Sequence, residues 1–128
     1  MSESNIILEF DSAKLARIER AFKSAPKIIN KHLAGAVDEV VLKIDAFAKE
    51  HCPVDTGKLR ASIKPHVVTW AEQYVGTNTS YAPHVEFGTE NMDAQPFLEP
   101  AFEYGKEIAE KIFNDAVDAA LTEIDGMI

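Results

Sequence analysis

The feature that most constrains the fold is a run of apolar residues between positions 29 and 47 that recur at helical spacing. Successive members are three or four residues apart, so they share one face of an α-helix. They are Ile29, Leu33, Val37, Val40, Ile44 and Phe47. Pro53 predicts that this helix ends near His51, because a proline disfavours helical backbone at the residue before it. Such a helix needs a second element to cover its apolar face.

The residues before this helix predict a short strand and then a separate first helix. Residues 5–10, NIILEF, are apolar and partly β-branched, as strands are. Asp11 or Ser12 is suited to cap a helix that follows. The apolar stripe of that helix consists of Leu15, Ile18 and Phe22. Pro26 is expected to end the first helix and to open the long one.

Beyond the long helix the pattern changes to alternation, which predicts a small antiparallel sheet. Residues 59–70 alternate between apolar and polar side chains and predict a half-buried strand. Pro65 places that strand at an edge or a bulge, because proline donates no ladder hydrogen bond. Residues 72–77 predict a second strand after a tight turn. Residues 80–89 predict a third strand or an extended segment.

The last part of the chain predicts a second long helix and completes the fold class. Residues 96–124 carry a helical apolar stripe, and Pro100 suits the first turn of the helix. The order of elements predicts an α+β fold with N-terminal helices, a small antiparallel sheet and a C-terminal helix. A length of 128 residues suits a single domain over residues 1–128.

The net charge of −8 argues against binding of nucleic acid through phosphate neutralisation. The charge is concentrated at the end of the chain, where residues 99–128 contain eight acidic and two basic residues. Two interpretations remain open for this acidic helix. It is either an ordinary solvated face or a wall that repels passing DNA.

The cysteine count and the hydropathy of the sequence indicate the redox compartment of the protein and whether it crosses a membrane. Cys52 is the single cysteine, so no internal disulfide is possible, and a reducing cytosol is expected. No apolar run approaches the roughly 20 residues that cross a bilayer, so no membrane partner is expected.

The tripeptide Asp55-Thr56-Gly57 raises the question of catalysis, because aspartic proteases carry their catalytic carboxylate in the same three residues. Those enzymes need two carboxylates that share a proton, and this chain has one copy. Lys58 and Arg60 also favour an ionised Asp55. A turn from helix to strand is the favoured interpretation, with Gly57 at positive φ. A dimeric aspartic hydrolase that uses Asp55 remains the alternative.

No other pattern predicts chemistry. The four histidines are His32, His51, His66 and His84. Their spacing is unlike that of metal ligands, and the chain has no phosphate-binding loop. We therefore expect no catalytic residue, no metal site and no cofactor, and by elimination a binding or assembly protein that is not an enzyme.

Three stretches resemble a known family when they are taken together. PVDTGKLRASI spans residues 53–63, YVGTNTSYAPHVEFGT spans 74–89 and AQPFLEPAF spans 94–102. In this order, behind a helical N-terminal region, they resemble the lambdoid-type tail-component or neck proteins of long-tailed double-stranded DNA bacteriophages. The resemblance covers roughly residues 26–120 and implies a structural virion protein of the head–tail connection.

The resemblance also implies how such a protein works. Members are tied to neck formation, tail completion or tail termination, and related proteins form rings, often hexamers, around the DNA channel. We therefore expect a homo-oligomer made in the host cytoplasm. We expect it to be placed at the head–tail junction or in the tail. Its expected partners are other head–tail connector proteins or tail tube proteins, with no specific nucleic-acid binding even where DNA passes through the ring.

In that light the residues predict structural roles. The expected turn residues are Asp55, Thr56, Gly57, Gly76 and Gly88. The candidate subunit-interface residues are Arg60, Tyr81, Glu86, Phe87 and Phe97. Tyr81, Val85 and Phe87 alternate, so a strand would turn all three toward the long helix. Glu86 would then lie on the other side and pair with Arg60 of a neighbouring strand or subunit.

Overall fold

The structure, a computed structural model, describes residues 11–55 and 57–128. In chain order the elements are α1 (Ser12–His51), α2 (Lys58–Ser62), β1 (Lys64–Val67), β2 (Gln73–Gly76), α3 (Ala82–Phe87) and α4 (Leu98–Asp125). The predicted α+β class is confirmed, with a long N-terminal helix, a two-stranded antiparallel sheet and a C-terminal helix. The strand predicted for residues 5–10 lies outside the described residues.

Helix α1 is one continuous element, so the prediction that Pro26 separates two helices is wrong. Its 40 residues make it roughly 60 Å long. Asp11 caps it as predicted, because its carboxylate accepts hydrogen bonds from the N–H groups of Ala13 at 2.9 Å and Lys14 at 3.4 Å. Pro26 is exposed on the helix surface, so the carbonyl that loses its helical partner is able to bond water.

Helices α1 and α4 pack against each other in opposite directions. The Phe47 and Tyr104 rings stack with their centroids 4.7 Å apart. Glu123, near the end of α4, pairs with Lys31 at 2.9 Å and with His32 at 2.8 Å. The low residue numbers of α1 therefore lie beside the high numbers of α4. The partner that the apolar face of α1 requires is α4.

The core lies where the second half of α1 meets the start of α4 and the segments between them. Its buried members are Val41, Ile44, Ala48, Cys52, Leu59, Ile63, Val75, Ala82, Phe97 and Ala101. Gly105 lets the two helices approach closely, because a Cβ at this position would lie 2.5 Å from Cδ1 of Ile44. The core thus occupies one end of an elongated helix pair.

The prediction of one strand over residues 59–70 is only partly right. The first part is helix α2, and only residues 64–67 form strand β1. Leu59 and Ile63 are both buried. A separation of four residues places two side chains on one face in a helix and also in a strand, so the sequence pattern did not distinguish the two.

The prediction of a third strand over residues 80–89 is wrong, because residues 82–87 form helix α3. Pro83 occupies its first turn, where proline is favoured, and Gly88 ends it at a φ of 77°. Ala82 and Glu86, one helical turn apart, are the buried pair. Tyr81, Val85 and Phe87 therefore do not share a sheet face.

Within residues 11–55 and 57–128 the sheet is a two-stranded hairpin, so each of its strands is an edge there. β1 pairs with β2 in antiparallel register from Lys64 opposite Gly76 to Val67 opposite Gln73. Pro65 thus lies in an edge strand, as predicted. Gln73 fastens the hairpin to the long helix, since its side-chain amide donates to the Asp38 carboxylate at 2.7 Å.

Candidate assembly surface

Glu86 is a buried carboxylate that caps the N-terminus of α4. One carboxylate oxygen accepts hydrogen bonds from the N–H groups of Phe97 at 3.2 Å and Leu98 at 2.8 Å. The other accepts from the N–H of Glu99 at 3.4 Å. Phe97, at the capping position, has no side-chain acceptor of its own. The negative charge also lies where the dipole of α4 favours it. Within one chain Glu86 therefore caps α4, and the described contacts include no pair with Arg60. A pair with Arg60 of a neighbouring subunit stays a prediction.

The two phenylalanines predicted to lie at a subunit interface have opposite environments. Phe97 is 0% exposed and belongs to the core, next to Ala101. Phe87 is 77% exposed at the end of α3. A fully buried ring is not accessible to another subunit, so of these two only Phe87 is placed to contact one.

Phe87 borders an open apolar groove, here called the α3–α4 groove, with a cavity volume of about 740 Å³. Its apolar wall includes Pro83, Phe87, Leu98 and Phe102. Phe102 is 43% exposed, so both rings of the groove face solvent. The acidic residues among the lining are Glu86, Glu99 and Glu103, and no described lining residue is basic. The groove is therefore apolar inside and negative at its rim.

The wall opposite α4 is held by a cluster of hydroxyl groups. The Ser62 hydroxyl donates to the Leu59 carbonyl at 2.6 Å and lies 2.5 Å from the Thr77 hydroxyl. The Thr79 hydroxyl donates to Ser62 Oγ at 2.9 Å. These contacts tie the segment after β2 to the end of α2.

The turn at the Asp-Thr-Gly tripeptide is partly described. Gly57 has the predicted positive φ, at 82°, but it leads into helix α2 and not into the predicted strand. Thr56 lies outside the described residues. Asp55 is exposed beside a second groove, where it is the only carboxylate among the described lining residues. A shared-proton pair would need a carboxylate from another chain.

The remaining predicted site residues are Tyr81, Arg60, Gly76 and Gly88. Tyr81 is exposed and lines the groove beside Asp55. Arg60 is exposed on α2. Burial raises the pKa of the Cys52 thiol, and the positive charge of Arg60 opposes that rise. Gly76 ends β2, and its φ is not positive. Gly88 has a φ of 77°, as its turn role requires.

A second apolar surface lies at the far end of α1. Residues 12–27, here called the arm, extend roughly 24 Å past the level at which α4 ends. Phe22 is 74% exposed and Leu15 is also exposed, whereas Ala21 is the buried residue of the stretch. The apolar stripe predicted from sequence is therefore exposed in the arm at Leu15 and Phe22, and Ile18 is half-buried.

The tip of the hairpin is a third place where apolar side chains face solvent. Its exposed apolar residues are Val67, Val68, Trp70 and Tyr74. A two-stranded hairpin is marginally stable without further packing. The described residues thus form three surfaces on which apolar side chains are exposed.

Two further features bear on chemistry and location. Among residues 11–55 and 57–128, no three His, Cys, Asp or Glu side chains are grouped so that they would hold a metal ion. None of the described helices is both long and apolar enough to cross a bilayer.

Comparison with known proteins identifies the class. Residues 16–88 match the model of the family described as "Bacteriophage HK97-gp10, putative tail-component". The match covers more than half of the 128 residues, so the protein is a member of a bacteriophage tail-component family. The chain belongs to the HK97-gp10-like family, which confirms the resemblance found in its sequence. Neither the curated proteins nor the solved structures contain a significant match to it.

Sequence reasoning missed most of the groove. The sequence predicts a helix for Leu98 and Phe102 and an acidic face for Glu99 and Glu103, and it predicts no groove at these residues. The four-residue separation of Leu98 and Phe102 was a usable signal, because it places both on one side of α4. The position of α3 opposite them was not visible, since that segment was expected to be a strand.

Proposed function

We propose that the protein is a structural component of the phage head–tail connection that acts by assembling into a homo-oligomeric ring. The observation that carries the proposal is the exposure of large apolar side chains at both ends of the helix pair, with Phe87 and Phe22 each about three-quarters exposed. An elongated subunit with apolar surfaces at both ends is suited to contact a neighbour on each side. Membership of a phage tail-component family supports the same role.

Within the head–tail connection, the proposed roles are neck formation, tail completion and tail termination. In each of them the subunit would join virion proteins through surface contacts, with other connector or tail tube proteins as partners. The location that follows is the virion, at the junction or in the tail, after synthesis in the host cytoplasm.

The acidic helix supports a further part of the proposal, that α4 faces the DNA channel. The acidic residues of the last segment are all exposed. A negative wall repels phosphates and leaves DNA free to slide. A map of the assembled ring tests this idea directly. Acidic residues of α4 on the outer rim would contradict it.

Imaging of particles made without the protein tests the proposed function. A phage that lacks this gene is compared with the same phage supplied with the wild-type gene in trans. Separate DNA-filled heads and finished tails are expected if the protein joins them, and tails of uncontrolled length are expected if it terminates them. Normal, infectious virions without the protein would contradict both roles.

A further inference from the structure

The arm and the α3–α4 groove lie at opposite ends of one subunit. The groove lies near the start of α4, where Tyr104 stacks on Phe47 of α1. Phe22 lies 25 residues earlier in the same helix, which corresponds to roughly 37 Å. An arm in this position does not reach the groove of its own chain. Any contact between the two surfaces therefore joins two copies.

The apolar residues of the arm have the spacing that is typical of a helix bound in a groove. Leu15, Ile18 and Phe22 lie at spacings of three and four residues on one face of α1. Helices that bind in grooves place their anchor residues at this spacing. The groove offers Phe87, Phe102 and other apolar side chains in an open cavity of about 740 Å³.

The charges of the two surfaces are also complementary. The arm has five basic residues and one acidic residue in a chain whose net charge is −8. The acidic residues that line the groove are Glu86, Glu99 and Glu103. Glu86 is engaged with the N–H groups of α4, and Glu103 pairs with Lys106 at 3.3 Å. Glu99 is therefore the exposed carboxylate at the rim for which the described residues supply no ion pair. Opposite charges around an apolar contact favour association and set its orientation.

We propose that the arm of one copy binds in the α3–α4 groove of a second copy, with Leu15, Ile18 and Phe22 against Phe87 and Phe102. The inference rests on the proposed function in that it supplies the contact through which the subunits assemble. Each copy offers one arm and one groove, so the contact is head-to-tail. A head-to-tail contact repeats from copy to copy and closes into a ring when the rotation per subunit allows it.

Two double variants test this contact, one on each surface. The arm variant is Leu15→Glu with Phe22→Glu, and the groove variant is Phe87→Glu with Phe102→Glu. The matched control is Val67→Glu with Val68→Glu, which adds the same charge at exposed apolar residues of the hairpin tip. Circular dichroism verifies that each variant is folded. Sedimentation velocity and native mass spectrometry measure the size of the assembly.

The expected results are specific to a head-to-tail contact. The wild type and the hairpin control form the same oligomer, and each double variant alone is a monomer. An equimolar mixture of the two variants forms a dimer and no larger species. In that dimer the groove variant supplies the intact arm and the arm variant supplies the intact groove, and the two remaining surfaces are both disabled.

Several results would overturn the contact. They are a wild type that stays monomeric, a folded double variant that still forms the wild-type oligomer, or a mixture that gives the wild-type size. Loss of duplex DNA binding in the arm variant with its oligomer intact would assign the arm to nucleic acid instead. The imaging of particles without the protein does not depend on this contact, so failure here leaves the head–tail proposal to be judged separately.

Discussion

The C-terminal part of α1 and the arm belong to the same helix, yet their apolar residues differ in exposure. In the core end, Ile44 of α1 is covered by α4, which approaches closely at Gly105. In the arm, Leu15 and Phe22 follow the same helical spacing and remain exposed. The spacing of apolar residues therefore shows where a helix needs a partner. It does not show whether that partner belongs to the same chain.

Phe87 and Phe97, which are ten residues apart, show the same contrast between an exposed and a buried side chain. The ring of Phe97 contributes to folding, and the ring of Phe87 is free to contribute to contact with another molecule. Substitutions that change either the stability of the fold or the contact between copies therefore test this difference between buried and exposed side chains.

The largest expected effect is that of Phe97→Ala. Removal of a fully buried ring leaves a cavity, so the free energy of unfolding should fall by about 3–5 kcal/mol. Phe87→Ala is the matched control and should change that free energy by less than about 0.5 kcal/mol, because the ring is exposed. Urea denaturation of dilute protein, followed by circular dichroism, measures both. Equal losses would contradict the assignment of the two rings.

The next effect is that of Glu86→Ala. Three N–H groups at the start of α4 lose their acceptor, and we expect a loss of about 1–3 kcal/mol in the free energy of unfolding. Glu86→Gln keeps one acceptor oxygen and should lose less. Glu90→Ala, on the exposed loop after α3, is the control and should be neutral. If Glu86→Ala left stability unchanged and weakened only the oligomer, the original expectation of an interface role would be restored.

A pair of glycines inside the two long helices sharpens the comparison of packing. In Gly105→Ala the new methyl group meets the buried Ile44 side chain, so the free energy of unfolding should fall by about 1–2 kcal/mol. In Gly35→Ala the new methyl group has open space, and stability should rise by up to about 1 kcal/mol through helix propensity. Thermal unfolding of both variants measures the difference. A stabilised Gly105→Ala would show that the helices do not approach closely.

The smallest effect concerns the ion pairs at the far end of α4. Hydrogen bonds from Lys31 and then from His32 lower the pKa of Glu123 below its ordinary value of 4.5. A carboxylate with a lowered pKa in the folded protein stabilises it above the unfolded value, and this contribution is lost as the pH falls through the folded pKa. The wild type should exceed Glu123→Gln in stability at neutral pH, and the difference should shrink as the pH falls below the ordinary pKa of 4.5 and through the lowered pKa of the folded protein.

Thermal unfolding of both proteins across this pH range measures that difference. Asp118→Gln is a control on the same helix, because its exposed carboxylate has no described ion pair. A difference that grows on acidification would contradict the lowered pKa.

The sequence correctly predicted elements whose residue pattern is compatible with only one type of secondary structure. The long apolar run of α1 has helical spacing over five turns, and its end near His51 was correct. The strands around Pro65 and Val75 were found through alternation and the turn between them. The tripeptide at Asp55 was identified as a turn because a single carboxylate does not make a protease site.

The errors fall where local preference and packing compete. Pro26 lowers the stability of a helix interior. The apolar residues on both sides of it nevertheless recur at helical spacing, and Asp11 caps the start of the helix. The helix therefore continues through Pro26. Residues 80–89 alternate well enough for a strand. Pro83 and Gly88 give them the start and the end of a short helix, which allows Glu86 to reach α4.

The sequence by itself determined the fold class, the amphipathic character of both long helices and the resemblance to phage tail components, because these depend on periodicity and on local motifs. Only the tertiary structure decided which apolar residues the chain covers for itself. Burial depends on which segments meet in space, and Phe97 is enclosed while Phe87 faces solvent although the two phenylalanines are only ten residues apart in the sequence. The groove between α3 and α4 exists for the same reason, since its walls come from separate segments that folding brings together.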